Sequence, residues 1–190
     1  MDNGSITLAM FSGAGLGLLG RAGAMGVGLV FLQAALAKLQ HRELLSGVIA
    51  NYRLLPSGLV GPAALLLPPA ELAVGAALLL AGHWLAAAAA AVLLVAFAAA
   101  MGINITRGRR EIDCGCGRSQ LRQPLSWLLV GRNLVLAALL VPRLVPMASP
   151  AATTADLAIA LAGGLAVFVI VQLFNAIGAL AASPLATSRR

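Results

Sequence analysis

The stretch Trp84–Ile105, WLAAAAAAVLLVAFAAAMGINI, holds no charged side chain and no proline. Wound as a helix at 1.5 Å per residue it is about 33 Å long, enough to cross about 30 Å of hydrocarbon. Working outward, four more apolar stretches have the length to span: Leu16–Lys38, Leu59–Gly82, Leu125–Val145 and Thr154–Ala182. Pro62, Pro68 and Pro69 predict a kink in the second, and Arg132 and Pro142 weaken the fourth.

Composition agrees. The 190 residues are 61% apolar and 10% charged, against roughly 25% charged for an ordinary soluble domain. A soluble fold of this size needs a polar shell that this chain cannot supply. Disorder needs a hydrophilic chain, and a secreted disulfide scaffold needs more than two cysteines. The expectation is an all-α, polytopic membrane bundle in one integral domain over residues 1–190. It has a four-helix core, a fifth transmembrane helix and a charged loop over 106–124. Met1–Ser12 contains no Lys or Arg, and the first apolar stretch is too long for a signal-peptide core, so no cleavable signal is expected.

A net charge of +7 would suggest nucleic acid in a soluble protein. Here position matters more, and no nucleic-acid partner is expected. Lys38, Arg42 and Arg53 lie at or in the first loop, Arg107, Arg109, Arg110, Arg118 and Arg122 in the third, and Arg189 and Arg190 end the chain. These ten of the thirteen basic residues fall on one side of a five-span arrangement. Lysine and arginine gather on the cytoplasmic side, which predicts an outer amino terminus and a cytoplasmic carboxyl terminus. Trp84 and Trp127 fall at span ends, where indoles settle at headgroup level. His83 is expected at the interface, and glycines of the first span, with Ala24/Gly28 four apart, are expected to let helices approach closely.

The two cysteines stand two positions apart in Asp113-Cys114-Gly115-Cys116-Gly117. Glycine lets the backbone bend until the sulfurs can meet. So small a ring constrains little of the unfolded chain and is easily reduced, which suits a redox pair better than a structural one. Arg107, Arg109, Arg110 and Arg118 favour the thiolate, with Glu111 and Asp113 opposing them in part. Two other readings stay open: a glycine-rich loop with incidental thiols, and a metal site completed by His41, for which no spaced second pair exists.

Charges within spans need a partner or a cavity. Glu71 and Arg132 are expected to form an ion pair across the bundle, and Gln33, Lys38, Asn104, Asn133, Gln172 and Asn175 fall with Arg132 in the cytoplasmic half of their spans. The site residues expected for an intramembrane polar pocket are Glu71, Arg132, Asn133, Asn104 and Gln33. Such a pocket would admit a small carrier such as a quinone or gate the loop; no cofactor is otherwise indicated.

Four ordered elements carry a resemblance: Asn51-Tyr52-Arg53-Leu54-Leu55-Pro56, Leu67-Pro68-Pro69-Ala70-Glu71, Arg107-Gly108-Arg109 with Asp113-Cys114-Gly115-Cys116, and Arg132-Asn133. Together, over residues 16 to 145, they resemble the methylamine-utilisation protein MauE family, which belongs with DoxX-like membrane proteins. The resemblance implies a multi-pass protein of the bacterial inner membrane that takes part in thiol–disulfide exchange during maturation of exported proteins, beside a thioredoxin-like partner. It maps Cys114 and Cys116 onto the family's Cys-Gly-Cys, and Glu71 and Arg132 onto its intramembrane charges. Gly117-Arg118 stands where the family commonly has Phe-Gly. Two rival classes remain, a non-catalytic membrane scaffold or assembly factor and a transporter of small solutes or metal ions.

Overall fold

The computed structural model describes residues 13–80, 83–114, 124–145 and 153–181. Among them the ordered elements are helices: α1 (Gly13–Gln40), α2 (Arg42–Tyr52), α3 (Ser57–Leu80), α4 (Trp84–Thr106), α5 (Trp127–Leu139), α6 (Val141–Leu144) and α7 (Thr154–Ala181). Five spans are long and apolar enough to cross a membrane, with α5 and α6 together making the fourth. The chain is a multi-pass membrane protein with an all-α fold.

Large aliphatic side chains point away from the bundle. Leu65, Val92, Leu128, Ile170 and Leu180 are among the most exposed residues, which is the surface a lipid-facing helix presents. The interior is built from smaller groups, with Ala24, Val27, Phe31, Ala87, Ala90, Leu94, Leu136 and Leu140 in one buried cluster. With alanine and glycine at the contacts, backbones approach closely. A methyl group on Gly28 would lie 3.1 Å from the Gly75 carbonyl oxygen on α3, and one on Gly26 would lie 2.7 Å from the Val167 side chain on α7. Gly23 meets α5 in the same way, 2.7 Å from the Leu139 carbonyl oxygen. The first span therefore forms the centre of the bundle, gripped on several faces.

Two features of the helices depart from the sequence reading. The first loop is not merely charged chain: residues 42–52 form α2, with Leu45 buried and Val48, Ile49 and Tyr52 half-buried on the same side. The spacing of these four residues is that of one helical face. The helix ends at Arg53, whose φ of 49° is left-handed and whose N–H donates to the Ala50 carbonyl. The fourth span is also split, at Leu140. Pro142 has no N–H to donate, and its ring crowds the preceding turn, so the ladder restarts as the short α6. By contrast α3 is assigned as one helix through Pro62, Pro68 and Pro69.

Helix starts are capped by their own side chains. The Ser126 hydroxyl accepts from the Leu129 N–H at the start of α5, and His83 Nδ1 accepts from the Leu85 N–H at the start of α4. At α7, Thr153 N–H and Oγ1 donate to Asp156 Oδ2 at 2.9 and 2.8 Å, while the Asp156 N–H returns a bond to Thr153 Oγ1. That reciprocal arrangement satisfies donors the helix cannot. Trp84 and Trp127 open α4 and α5 and are more than half exposed.

Candidate functional site: two cavities divided by an ion pair

Lys38 and Glu71 form the electrostatic centre of the bundle. Lys38 Nζ donates to both carboxylate oxygens of Glu71, at 2.8 and 2.7 Å, and Glu71 is 1% exposed. The pair follows from helix geometry. Relative to the Gly28–Gly75 contact, Lys38 and Glu71 are staggered along the helices by about 9 Å. Side chains lean toward the amino end of their own helix, and in the antiparallel α1 and α3 this brings the two groups toward each other. The Phe97 ring lies beside the cation, its centroid 5.8 Å from Nζ.

The expected Glu71–Arg132 pair is therefore not formed. Glu71 is taken by Lys38, which the sequence places both at the first loop and at the depth of the polar group. Arg132 instead bonds to amides: Nη1 donates to Asn175 Oδ1 on α7, and Nη2 donates to the neighbouring Asn133 Oδ1 at 3.2 Å.

A cavity lies on each side of the Lys38–Glu71 pair, and Lys38 lines both. The first, about 500 Å³, is walled by α2 (Leu45, Ile49), α3 (Leu66, Leu67) and α4 (Phe97, Met101), with Cys114 at its edge. The second, about 410 Å³, lies between α1, α3, α4, α5 and α7; Gln33, Glu71, Arg132, Asn133, Gln172 and Asn175 supply its polar lining. Gln172 Nε2 donates to Gln33 Oε1 across it.

Asn104 stands apart from this second cavity. It is fully buried near the end of α4, where Nδ2 donates to the Ala100 carbonyl and Oδ1 accepts from Arg109 Nη1 at 3.2 Å. The Arg109 N–H also donates to the Asn104 carbonyl, and Gly108, with φ of 76°, permits the reversal between them. Asn104 thus starts the loop rather than lining the pocket.

The loop then folds inward. The Leu125 N–H donates to the Arg110 carbonyl, and Asp113 bridges Pro124, which draws together the two ends of the segment carrying the cysteines. Cys114 is 7% exposed and packs in a cluster with Ala98, Met101, Ile105, Ile112, Leu125, Leu129 and Val130. Its carbonyl accepts from the Tyr52 hydroxyl at 3.1 Å, tying the loop to α2. Of the arginines expected to favour a thiolate, Arg107 and Arg110 are exposed and Arg109 is directed at Asn104. Cys116 and Arg118 lie outside the described residues. No group of three or more metal-ligating side chains is gathered among the described residues.

Tyr52 is the contributor that residue-by-residue reading misses, and Lys38, placed at the right depth, is given no partner by it. The place of Tyr52 on the face of α2 with Leu45, Val48 and Ile49 is the available signal.

No solved structure matches the chain. Curated relatives do. The chain is 46% identical to the methylamine utilization protein MauE of Paracoccus denitrificans over 144 residues, covering 74% of this chain and 77% of that one. It is 50% identical to the same-named protein of Methylorubrum extorquens over 137 residues, 70% of this chain and 73% of the relative. For that of Paracoccus versutus the identity is 42% over 156 residues, 80% and 83% of the two chains. The family model described as methylamine utilisation protein MauE matches residues 16–146, a range that includes both cavities' central pair, the cysteine loop and Arg132. With the family model covering most of its length, the chain belongs to the MauE family.

Proposed function

We propose that this protein is a membrane thiol–disulfide redox protein that works through Cys114 and Cys116. The supporting observation is the seating of Cys114, buried at the edge of an apolar cavity with its carbonyl held by Tyr52. Its only fellow cysteine is two residues away. In this reading a thiolate of the pair attacks a disulfide of a thioredoxin-like partner or an exported protein. A mixed disulfide forms, the second cysteine displaces the partner as a thiol, and the pair is left oxidised while the partner is reduced. Run in reverse, the same exchange oxidises the partner. On the likeness to the curated relatives, the process served is methylamine utilisation.

The charge distribution supports insertion in the bacterial inner membrane with the cysteine loop at the cytoplasmic face. A beneficiary on the outer side then requires a loop that alternates its exposure between faces, a second protein with its own cysteines, or a lipid-soluble carrier. The 500 Å³ cavity beside Cys114 is walled mostly by aliphatic and aromatic groups and suits a quinone in that role. Two electrons and two protons would pass from the dithiol to the quinone, giving a disulfide and a quinol.

The test is to replace each cysteine singly by alanine in the full-length membrane protein and look for trapped mixed disulfides by non-reducing electrophoresis and mass spectrometry. The expected result is a trapped partner with one variant and none with the double variant. A membrane-impermeant thiol reagent, applied to intact and lysed cells, reports the face. If Cys114 and Cys116 are never found linked under any oxidant, and the double variant retains function, the protein is a scaffold instead.

A further inference from the structure

We propose that the pocket around Arg132 is a binding site for a singly charged carboxylate, which completes the charge and hydrogen bonding of Arg132 and Asn133. Among the described residues, three ionisable groups line this pocket: Lys38, Glu71 and Arg132. Lys38 and Glu71 cancel, since both oxygens of Glu71, the only carboxylate among the described lining residues, accept from the lysine. Arg132 is in no ion pair among the described residues, and a guanidinium keeps its charge in proteins. One positive charge is left over in a low-dielectric surrounding, where an uncompensated charge is costly.

The hydrogen bonds point the same way. Arg132 Nε and Asn133 Nδ2 are buried with no hydrogen-bond partner among the described residues. Both are donors. Asn175 Oδ1 and Asn133 Oδ1 accept from the other nitrogens of Arg132 and Gln33 Oε1 accepts from Gln172, so none of these three oxygens reaches Nε or Nδ2. Turning the Asn133 amide over does not help, since it would set two donors, Nδ2 and Arg132 Nη2, against each other. What the site asks for is an acceptor with a negative charge. The cavity is about 410 Å³ and has apolar walls at Val30, Leu94 and Phe168, far more room than a halide fills. A carboxylate with a short apolar body matches both halves of the lining. It could be a free solute or the head of a fatty acid entering from the bilayer.

This site makes no use of the cysteines, and its test is independent of theirs. Purified full-length protein in nanodiscs is titrated with sodium butyrate, with sodium chloride at equal ionic strength, and with butyramide as the neutral isostere, following the unfolding temperature. Butyrate is expected to raise it by several degrees at saturation, with no response to butyramide and a smaller one to chloride. An oleate arm, read by native mass spectrometry, separates the lipid source from the soluble one; binding of either supports the site. Arg132→Gln should abolish the response. Because that variant could fold poorly, Asn133→Asp supplies the second measurement: a built-in carboxylate beside Arg132 should raise the unfolding temperature without ligand and cancel the butyrate shift. The Cys114→Ala/Cys116→Ala chain should respond like the wild type. Equal stabilisation by butyramide or by chloride, or no response to butyrate and oleate alike, overturns the proposal.

Discussion

The two cavities share a wall and differ in almost everything else. Beside Cys114 the lining is aliphatic and aromatic, and the polar contribution comes from Lys38 and from Tyr52, whose hydroxyl is committed to a backbone carbonyl. Beside Arg132 amides and a guanidinium, bonded in pairs between α1 and α7 and between α5 and α7, are set into apolar walls. The difference shows how a chain so poor in charge uses what it has. Polar groups in a membrane interior are gathered on one side, where most find partners, and the space left free of them becomes a compartment for an apolar guest or a thiol.

The largest way to break this contrast is at the shared wall. Glu71→Gln leaves the buried Lys38 ammonium without its carboxylate, and removing one member of such a pair costs about 3–5 kcal/mol. Unfolding in detergent should show that loss, and the double variant Lys38→Met/Glu71→Met should recover most of it. A double variant as unstable as either single would mean that the pair is not what divides the bundle.

Next in size is the thiol side. Cys114→Ser puts a hydroxyl among Met101, Ile105 and Leu129 and should cost about 1–3 kcal/mol, where Cys114→Ala should cost less. Equal costs would show that the chamber is wetter than its lining implies. Tyr52→Phe, which removes one hydrogen bond to the loop, should lose about 1 kcal/mol and speed the labelling of Cys114 by a thiol reagent. Unchanged labelling would detach α2 from any part in holding the loop. Smallest is Thr153→Ala, at about 0.5–1 kcal/mol, because it removes a cap at the far end of α7 that touches neither cavity. Hydrogen exchange in the first turn of α7 reads it, and a change around Arg132 would mean that the whole helix shifts.

The spans were legible in the sequence because bulk composition decides them: Trp84–Ile105 has no alternative to a membrane. The helix α2 was not, since Leu45, Val48, Ile49 and Tyr52 are embedded among Arg42, Glu43 and Arg53, and charge counting treats the segment as loop. The depth grouping brought Gln33, Lys38, Asn133, Gln172 and Asn175 to one level, yet depth along a helix says nothing about which face a residue occupies. That is why Glu71 was assigned to Arg132 rather than Lys38, and why Asn104, at a similar level, was grouped with residues it does not meet. The join of Asp113 to Pro124 depends on a contact between loop ends that no local pattern announces.

Gly26 and Gly28 sit two residues apart on α1 and so point to nearly opposite sides, one toward α7 and the other toward α3. The first helix is therefore an axle clamped from both directions, and its thickness at that level is fixed by hydrogen atoms. Mutational tolerance along it must be sharply uneven: Leu19 and Leu36, turned to the lipid, can drift among apolar residues, while any gain of bulk at the clamp forces two neighbouring spans apart at once.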